Sequence, residues 1–279
     1  MVTIPICLDS YKGKHRIVFN NFVGLAIMKI YSGRFLKSDL LDIPEQERIF
    51  FLLAGQVDND LNILNKLSLM CMGQSDSPYD PINKANLYQG LAIITMLVGK
   101  IYEGWKLIDT QLLGTDLYEE YRPLLSESAI KTITALEYYF SGKNLINMVR
   151  QKYAFHYDHK KFKEGFNHMP DDSELFIYTG EYYAYNFYYA SAAATYYGIL
   201  RMIDDDEKEA MRKLFGELRG ISGCWLEFIG EFIFVIMDKY LLERGKLKFI
   251  ETDIGDPPII TDIKIPYFAR HPREKSKEN

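Results

Sequence analysis

Cysteine is scarce in this sequence: Cys7, Cys71 and Cys224 are its three residues, far apart and set in apolar stretches. An odd number at such spacing argues against a disulfide framework or a zinc knuckle and fits reduced thiols in a core, which makes a cytoplasmic location the expectation. A glycine-rich phosphate loop, a serine nucleophile elbow and a dinucleotide fingerprint are all missing, which removes the commonest nucleotide-binding and hydrolase architectures. Residues Met1–Ser10 include Pro5 and Asp9 and lack a basic segment followed by a long apolar core, so no secretory signal is expected. The most apolar windows, Leu91–Val98 and Phe228–Met237, fall short of the roughly 18 to 20 residues that cross a bilayer. Lys100, Glu227, Glu231 and Asp238 lie in or beside them. Both windows read as buried helix faces, and no membrane partner is expected. A basic excess is absent too: 33 Lys and Arg stand against 38 Asp and Glu, a net charge of −5. No global field then draws nucleic acid or anionic lipid, and any RNA contact must be local.

What the sequence has in plenty is apolar surface, 48% of its residues, enough for a well-buried core. The apolar positions recur at helical spacing. After Pro44, with Glu45 and Glu47 in the first turn, Ile49, Leu52, Leu53, Val57, Leu61, Leu64 and Leu67 predict a helix towards Gly73. Gln74–Asn83 reads as a loop, and Lys84–Leu112 as a second helix with Leu87, Leu91, Ile94, Leu97, Ile101, Trp105 and Ile108 on its apolar face. Gly114–Pro123 breaks the pattern. Ser126 then caps a third helix whose series, from Ile130 through Leu136 and Phe140 to Val149, delivers the chain to Arg150. A polar segment, His156–Ser173, separates it from two further helices at Glu181–Met202 and Glu207–Arg244. The prolines Pro257, Pro258, Pro266 and Pro272 forbid another helix, and Arg270–Asn279 reads as a charged, frayed end.

The expected class is therefore all-α, an antiparallel helical bundle of about five long helices. Residues 1–44 form an N-terminal arm left open between β-like Arg16–Phe19 and a short helix over Phe22–Tyr31 ending at Gly33. Residues 45–245 form one bundle, and residues 246–279 an extended C-terminal tail.

One segment carries chemically suggestive residues. Arg150, Gln151, Lys152, Tyr153, Ala154, Phe155, His156, Tyr157 and Asp158 close the third helix with an arginine and a histidine separated by five positions. Cleavage of RNA by its own 2′-hydroxyl needs a proton taken from the nucleophile and another given to the departing oxygen, and histidine titrates in the right range. The guanidinium can hold the charge that gathers on the phosphoryl oxygens. On an ideal helix the six-residue offset turns about 600°, so the two side chains do not share a face. They converge only if the helix distorts or ends near Tyr153, or if two subunits pool them. From Met148 to His168 five basic residues face two acidic ones, so Lys160, Lys161 and Lys163 are candidate RNA contacts. Interleaved Tyr153, Phe155, Tyr157 and Phe162 could stack bases.

An Arg followed by a polar residue and then a His, near a helix end in an all-α chain, resembles the motif of the HEPN superfamily. The stretch Val98–Trp105 also looks like the early helices of such proteins. The resemblance implies a HEPN-like bundle and a metal-independent RNA endonuclease with Arg150 and His156 as catalytic residues. Gln151, Lys152, Tyr157 and Asp158 would support them, Asp158 by orienting His156. It further implies a homodimer with two motifs facing one cleft, RNA as substrate, a toxin or antiviral-defence setting, and an antitoxin or operon partner, with no cofactor. The sequence departs from the His-x-Tyr pattern of toxins silenced by tyrosine modification, since Tyr157 follows His156 directly and Asp158 takes the usual tyrosine place.

Plainer readings stand beside this one. A non-catalytic HEPN-like module that binds a nucleotide or a protein partner is the alternative, with Arg150 capping carbonyls at the helix end. An Arg and a His at this spacing also arise by chance in helical proteins. His156 and His159 could chelate a metal, but no properly spaced third ligand supports a site, and no metal is expected. Tyr182, Tyr185, Tyr189 and Tyr196 read as a packed aromatic face. Lys100 and Glu103 read as an ion pair within one helix, and Asp204–Asp206 as a helix cap.

Overall fold

The computed structural model describes residues 29–72, 80–154, 158–180 and 183–269. In chain order these form β1 (Lys29–Gly33), α1 (Lys37–Leu40), α2 (Glu45–Met72), α3 (Asp80–Gln111), α4 (Asp116–Tyr121), α5 (Glu127–Ser141) and α6 (Leu145–Val149). Then come α7 (His159–His168), β2 (Ile177–Tyr178), β3 (Phe187–Tyr188), α8 (Tyr189–Ile203), α9 (Glu207–Met237) and β4 (Phe249–Asp253). The chain is predominantly α-helical, as the periodicity predicts. It divides into two compact units, residues 1–62, 98–148 and 214–258 in the first, and 63–97, 149–213 and 259–279 in the second.

In the first unit Trp225, Phe228 and Phe232 of α9 are buried with Tyr121, Ile101, Ile108, Ile133 and Leu136. Trp105 stacks on Phe140 with ring centroids 4.8 Å apart. Hydroxyls of α5 and its cap donate to carboxylates of α9 in descending order, Ser126 to Glu231, Ser128 to Glu227 and Tyr139 to Glu217, which sets the two helices antiparallel. Glu47 is 7% exposed in the first turn of α2 and accepts from the hydroxyls of Tyr121 and Tyr240. Lys239 lies 3.8 Å from the same carboxylate. Tyr240 and Lys239 belong to a π-helical turn, Asp238–Leu242, that extends α9. The run Glu207–Leu242 is long and apolar enough to cross a bilayer by length and composition, which the shorter window Phe228–Met237 does not reveal. Leu214, Leu218, Phe228, Phe232 and Val235 bury its apolar face within this unit.

In the second unit α7 packs against α8, and the hairpin β2–β3 pairs Ile177 with Tyr188 and Tyr178 with Phe187. Leu91, Ile94 and Leu97 of α3 are buried here with Ala193, Ala194, Ile199 and Leu200 of α8.

Several expected boundaries move. The third helix is not continuous: α5 stops at Ser141, Gly142 is extended and α6 restarts at Leu145. Asn144, 7% exposed, explains the break. Its Oδ1 accepts the Asn147 N–H at 2.8 Å, capping α6, while its Nδ2 donates to the carbonyls of Tyr139 and Gly142 at the end of α5. The fourth helix begins at Tyr189 rather than Glu181, because Phe187 and Tyr188 are taken into strand β3. The polar segment 156–173 contains α7, and the interruption 114–123 contains α4, capped by Thr115. The second helix starts at Asp80, inside the expected loop. In the N-terminal arm residues 29–33 are a strand and not the end of a helix. They pair antiparallel with β4, Lys29 opposite Asp253 and Gly33 opposite Phe249, inside the expected tail. A strand whose partner lies more than two hundred residues away has no local pattern to betray it. The β-like stretch Arg16–Phe19 and the end Arg270–Asn279 lie outside the described residues.

Candidate functional site

Leu145, Ile146 and Val149 are buried and anchor α6, so the chain reaches Arg150 on a fixed helical turn. From Arg150 to Ala154 the helix widens into a single π turn. Widening of this kind inserts an extra residue into the helical ladder and re-aims the side chains around it. Arg150 and Lys152 are half-buried and Gln151 is exposed. The helix thus distorts at Arg150–Ala154, one of the conditions for bringing an arginine and a histidine at this spacing together. Phe155, His156 and Tyr157 lie outside the described residues.

Tyr153 of this turn packs against α8. A Cβ at Gly198 of α8 would stand 2.5 Å from the Tyr153 hydroxyl, so the phenol sits against bare backbone. Burial, and then the carboxylates of Glu164 and Asp158, push its pKa up to about 12, and it stays neutral through the physiological range. One turn earlier on α8, the Ala194 carbonyl oxygen would lie within 2.1 Å of a Cβ at Gly165 of α7. Two glycines therefore let α7 and the π turn approach α8 more closely than any other residue allows.

Asp158 opens α7. Its Oδ1 accepts the N–H groups of Lys160 at 2.8 Å and Lys161 at 3.2 Å. These bonds, with the two lysine charges, hold the carboxyl below the usual range. That is the work of an N-cap, and it commits one oxygen of the residue expected to orient His156. Lys160 and Lys163 are exposed, while Lys161 pairs with Glu164 three residues further along the helix. Phe162 and Phe166, spaced by one helical turn, are 41% and 57% exposed beside them. The sequence reading missed Phe166 and the helix that presents both rings. Its signal was there in Asp158 followed by an amphipathic stretch, but the density of polar residues masked it.

Other candidates resolve plainly. Lys100 pairs with Asp60 of α2 at 2.8 Å and so reaches beyond its own helix. Asp206 accepts the Glu209 N–H at 2.8 Å and Asp204 pairs with Lys213 at 2.5 Å, so this acidic run caps and braces α9. Tyr189 and Tyr196 of α8 do pack, each edge-on to Tyr88, whereas Tyr185 lies in a short 3-10 turn before the helix. Tyr182 lies outside the described residues. Among the described residues no group of three His, Cys, Asp or Glu is arranged to hold a metal ion. Comparison with family models, with curated proteins and with solved structures finds no match for this chain.

Proposed function

We propose that the chain is a metal-independent RNA endonuclease of the HEPN type, with Arg150 and His156 as its catalytic pair. The observation that carries this reading is the π turn at Arg150, which distorts a helix end within the same unit as the lysine-bearing helix α7. His156 takes the proton of the 2′-hydroxyl and returns one to the 5′-oxygen, while Arg150 holds the charged phosphoryl oxygens. Lys160, Lys161 and Lys163 hold the strand, with Gln151, Lys152, Tyr157 and Asp158 supporting the pair. One Arg and one His are few groups for this chemistry, so a homodimer that pools two motifs in one cleft belongs to the proposal, as does a cytoplasmic role as a toxin or defence effector with a regulatory partner.

The test is cleavage of RNA by purified chain in excess chelator. Products should carry a 2′,3′-cyclic phosphate, and DNA, which lacks the internal nucleophile, should remain uncut. Arg150→Ala should cost on the order of a hundredfold in rate, by analogy with loss of one oxyanion donor, and His156→Ala at least as much. The active species should scatter light as a dimer. Wild-type rates in both variants, or complete loss of cleavage in chelator, would sink the proposal. RNA or nucleotide binding without cleavage would favour the non-catalytic module.

A further inference from the structure

The tail expected to be merely extended docks on the second unit. After a 3-10 turn at Ile260–Asp262 it runs on without helix or strand, and none of its residues to Ala269 is fully buried. Its backbone is nevertheless held point by point. The Ile265 N–H donates to the Met70 carbonyl of α2 at 3.3 Å, and the Ile265 carbonyl accepts from Gln89 Nε2 of α3 at 3.4 Å. Gln89 Nε2 also lies 3.3 Å from Cys71 Sγ. The Tyr267 N–H donates to Asn86 Oδ1 at 2.9 Å. Lys264 and Pro266, on either side of Ile265, are exposed, the alternation of an extended peptide with one face on a surface. The Tyr267 ring packs on Phe187 at 5.2 Å, and its hydroxyl donates to the Asn186 carbonyl at 2.7 Å.

We infer that the surface built by Met70, Asn86, Gln89 and Phe187 is a recognition site for an extended Ile-Pro-Tyr peptide, and that residues 263–268 are its ligand in cis. The bonds to Ile265 and Tyr267 use backbone groups that any extended chain offers, which is how strand-like ligands gain affinity. Selectivity lies in Pro266, which needs no acceptor at its position, and in the phenol that spans from Phe187 to the Asn186 carbonyl. A partner whose extended segment carries this chemistry competes with the chain's own tail. Attachment gives that tail an effective concentration in roughly the millimolar range, so the site opens to a partner only when the tail is weakened or outbid.

The experiment uses the full chain and a labelled peptide of residues 261–269, followed by fluorescence anisotropy. Tyr267→Ala in the chain weakens the cis ligand, and this variant should bind the peptide at least about tenfold more tightly than wild type does. A peptide with the same tyrosine replaced should not bind, and Asn86→Ala added to the chain variant should weaken binding. Equal binding by wild type and variant, or binding by neither, overturns the inference. Hydrogen exchange in the unaltered chain gives a second check that needs no variant. The amides of Ile265 and Tyr267 should exchange by local opening, well before those of Leu91 and Ile94. Exchange of all four at one common rate would make the tail part of the cooperative core and overturn the inference as well.

Discussion

Glu47 joins two phenols and an ammonium group inside the first unit. A carboxylate this buried is tolerated because two phenols donate to it and an ammonium group stands near. Tyr121, fully buried, is pushed far above the usual tyrosine range by burial first and by Glu47 second, so it stays a donor. Lys239 also pairs with Glu120 at 2.6 Å and lies over the Tyr121 and Tyr240 rings. Replacing the carboxylate turns an acceptor of two bonds into a group that faces donors with a donor of its own. Glu47→Gln should therefore destabilise the chain by about 2 to 3 kcal/mol, and Tyr121→Phe by about 1.5 to 3 kcal/mol. Urea denaturation reads both, and a change below about 0.5 kcal/mol in either would mean the network adds nothing to stability.

At the scale of the element, glycine has opposite meanings in different helices. On α7 and α8 it permits close approach, and Gly165→Ala would drive a methyl group into the Ala194 carbonyl. Rigid backbone on the other side leaves no flexible group to give way, so the cost should be about 1 to 3 kcal/mol. On α9, Gly220 and Gly230 are exposed and a Cβ at either meets nothing within 4 Å. There alanine removes only the entropic penalty of glycine, and each substitution should stabilise by about 0.5 to 1 kcal/mol. Thermal melts of the three single variants should thus move in opposite directions. A lower melting temperature for Gly220→Ala would contradict the open environment described for α9.

For the molecule as a whole, tyrosine sets the response to alkali. Burial is the first cause that raises Tyr88, Tyr121, Tyr139 and Tyr153, with neighbouring phenols adding at Tyr88 and carboxylates at the other three. An unfolded chain releases these protons near the ordinary value of about 10, whereas the folded chain retains them to higher pH. The stability this represents is therefore fully present below about pH 10 and is lost as pH climbs towards the folded values. Each such tyrosine steepens the loss by up to about 1.4 kcal/mol per pH unit. Absorbance at the tyrosinate band should rise in two stages, exposed phenols first and the buried group together with loss of helical dichroism. All 21 tyrosines ionising in one smooth step with helix intact would refute this.

The all-α class and the five longest helices were legible in the sequence because each buries a continuous stripe, and a stripe at 3.6-residue spacing is a local property of the chain. The cap at Ser126 and the acidic start of α2 were legible for the same reason. So was the candidate pair, Arg150 and His156, as residue types at a spacing. What only the tertiary structure decided was everything that depends on a distant partner. β1 is a strand only because β4 returns to it. The Tyr153 phenol lies against bare backbone at Gly198, a position forty-five residues further along the chain. The docking of Tyr267 depends on side chains of α3 and on the β2–β3 hairpin, which no periodicity in the tail announces. Local patterns follow from short-range sterics and burial, whereas these features exist only once segments far apart in sequence are brought together and their polar groups must be satisfied.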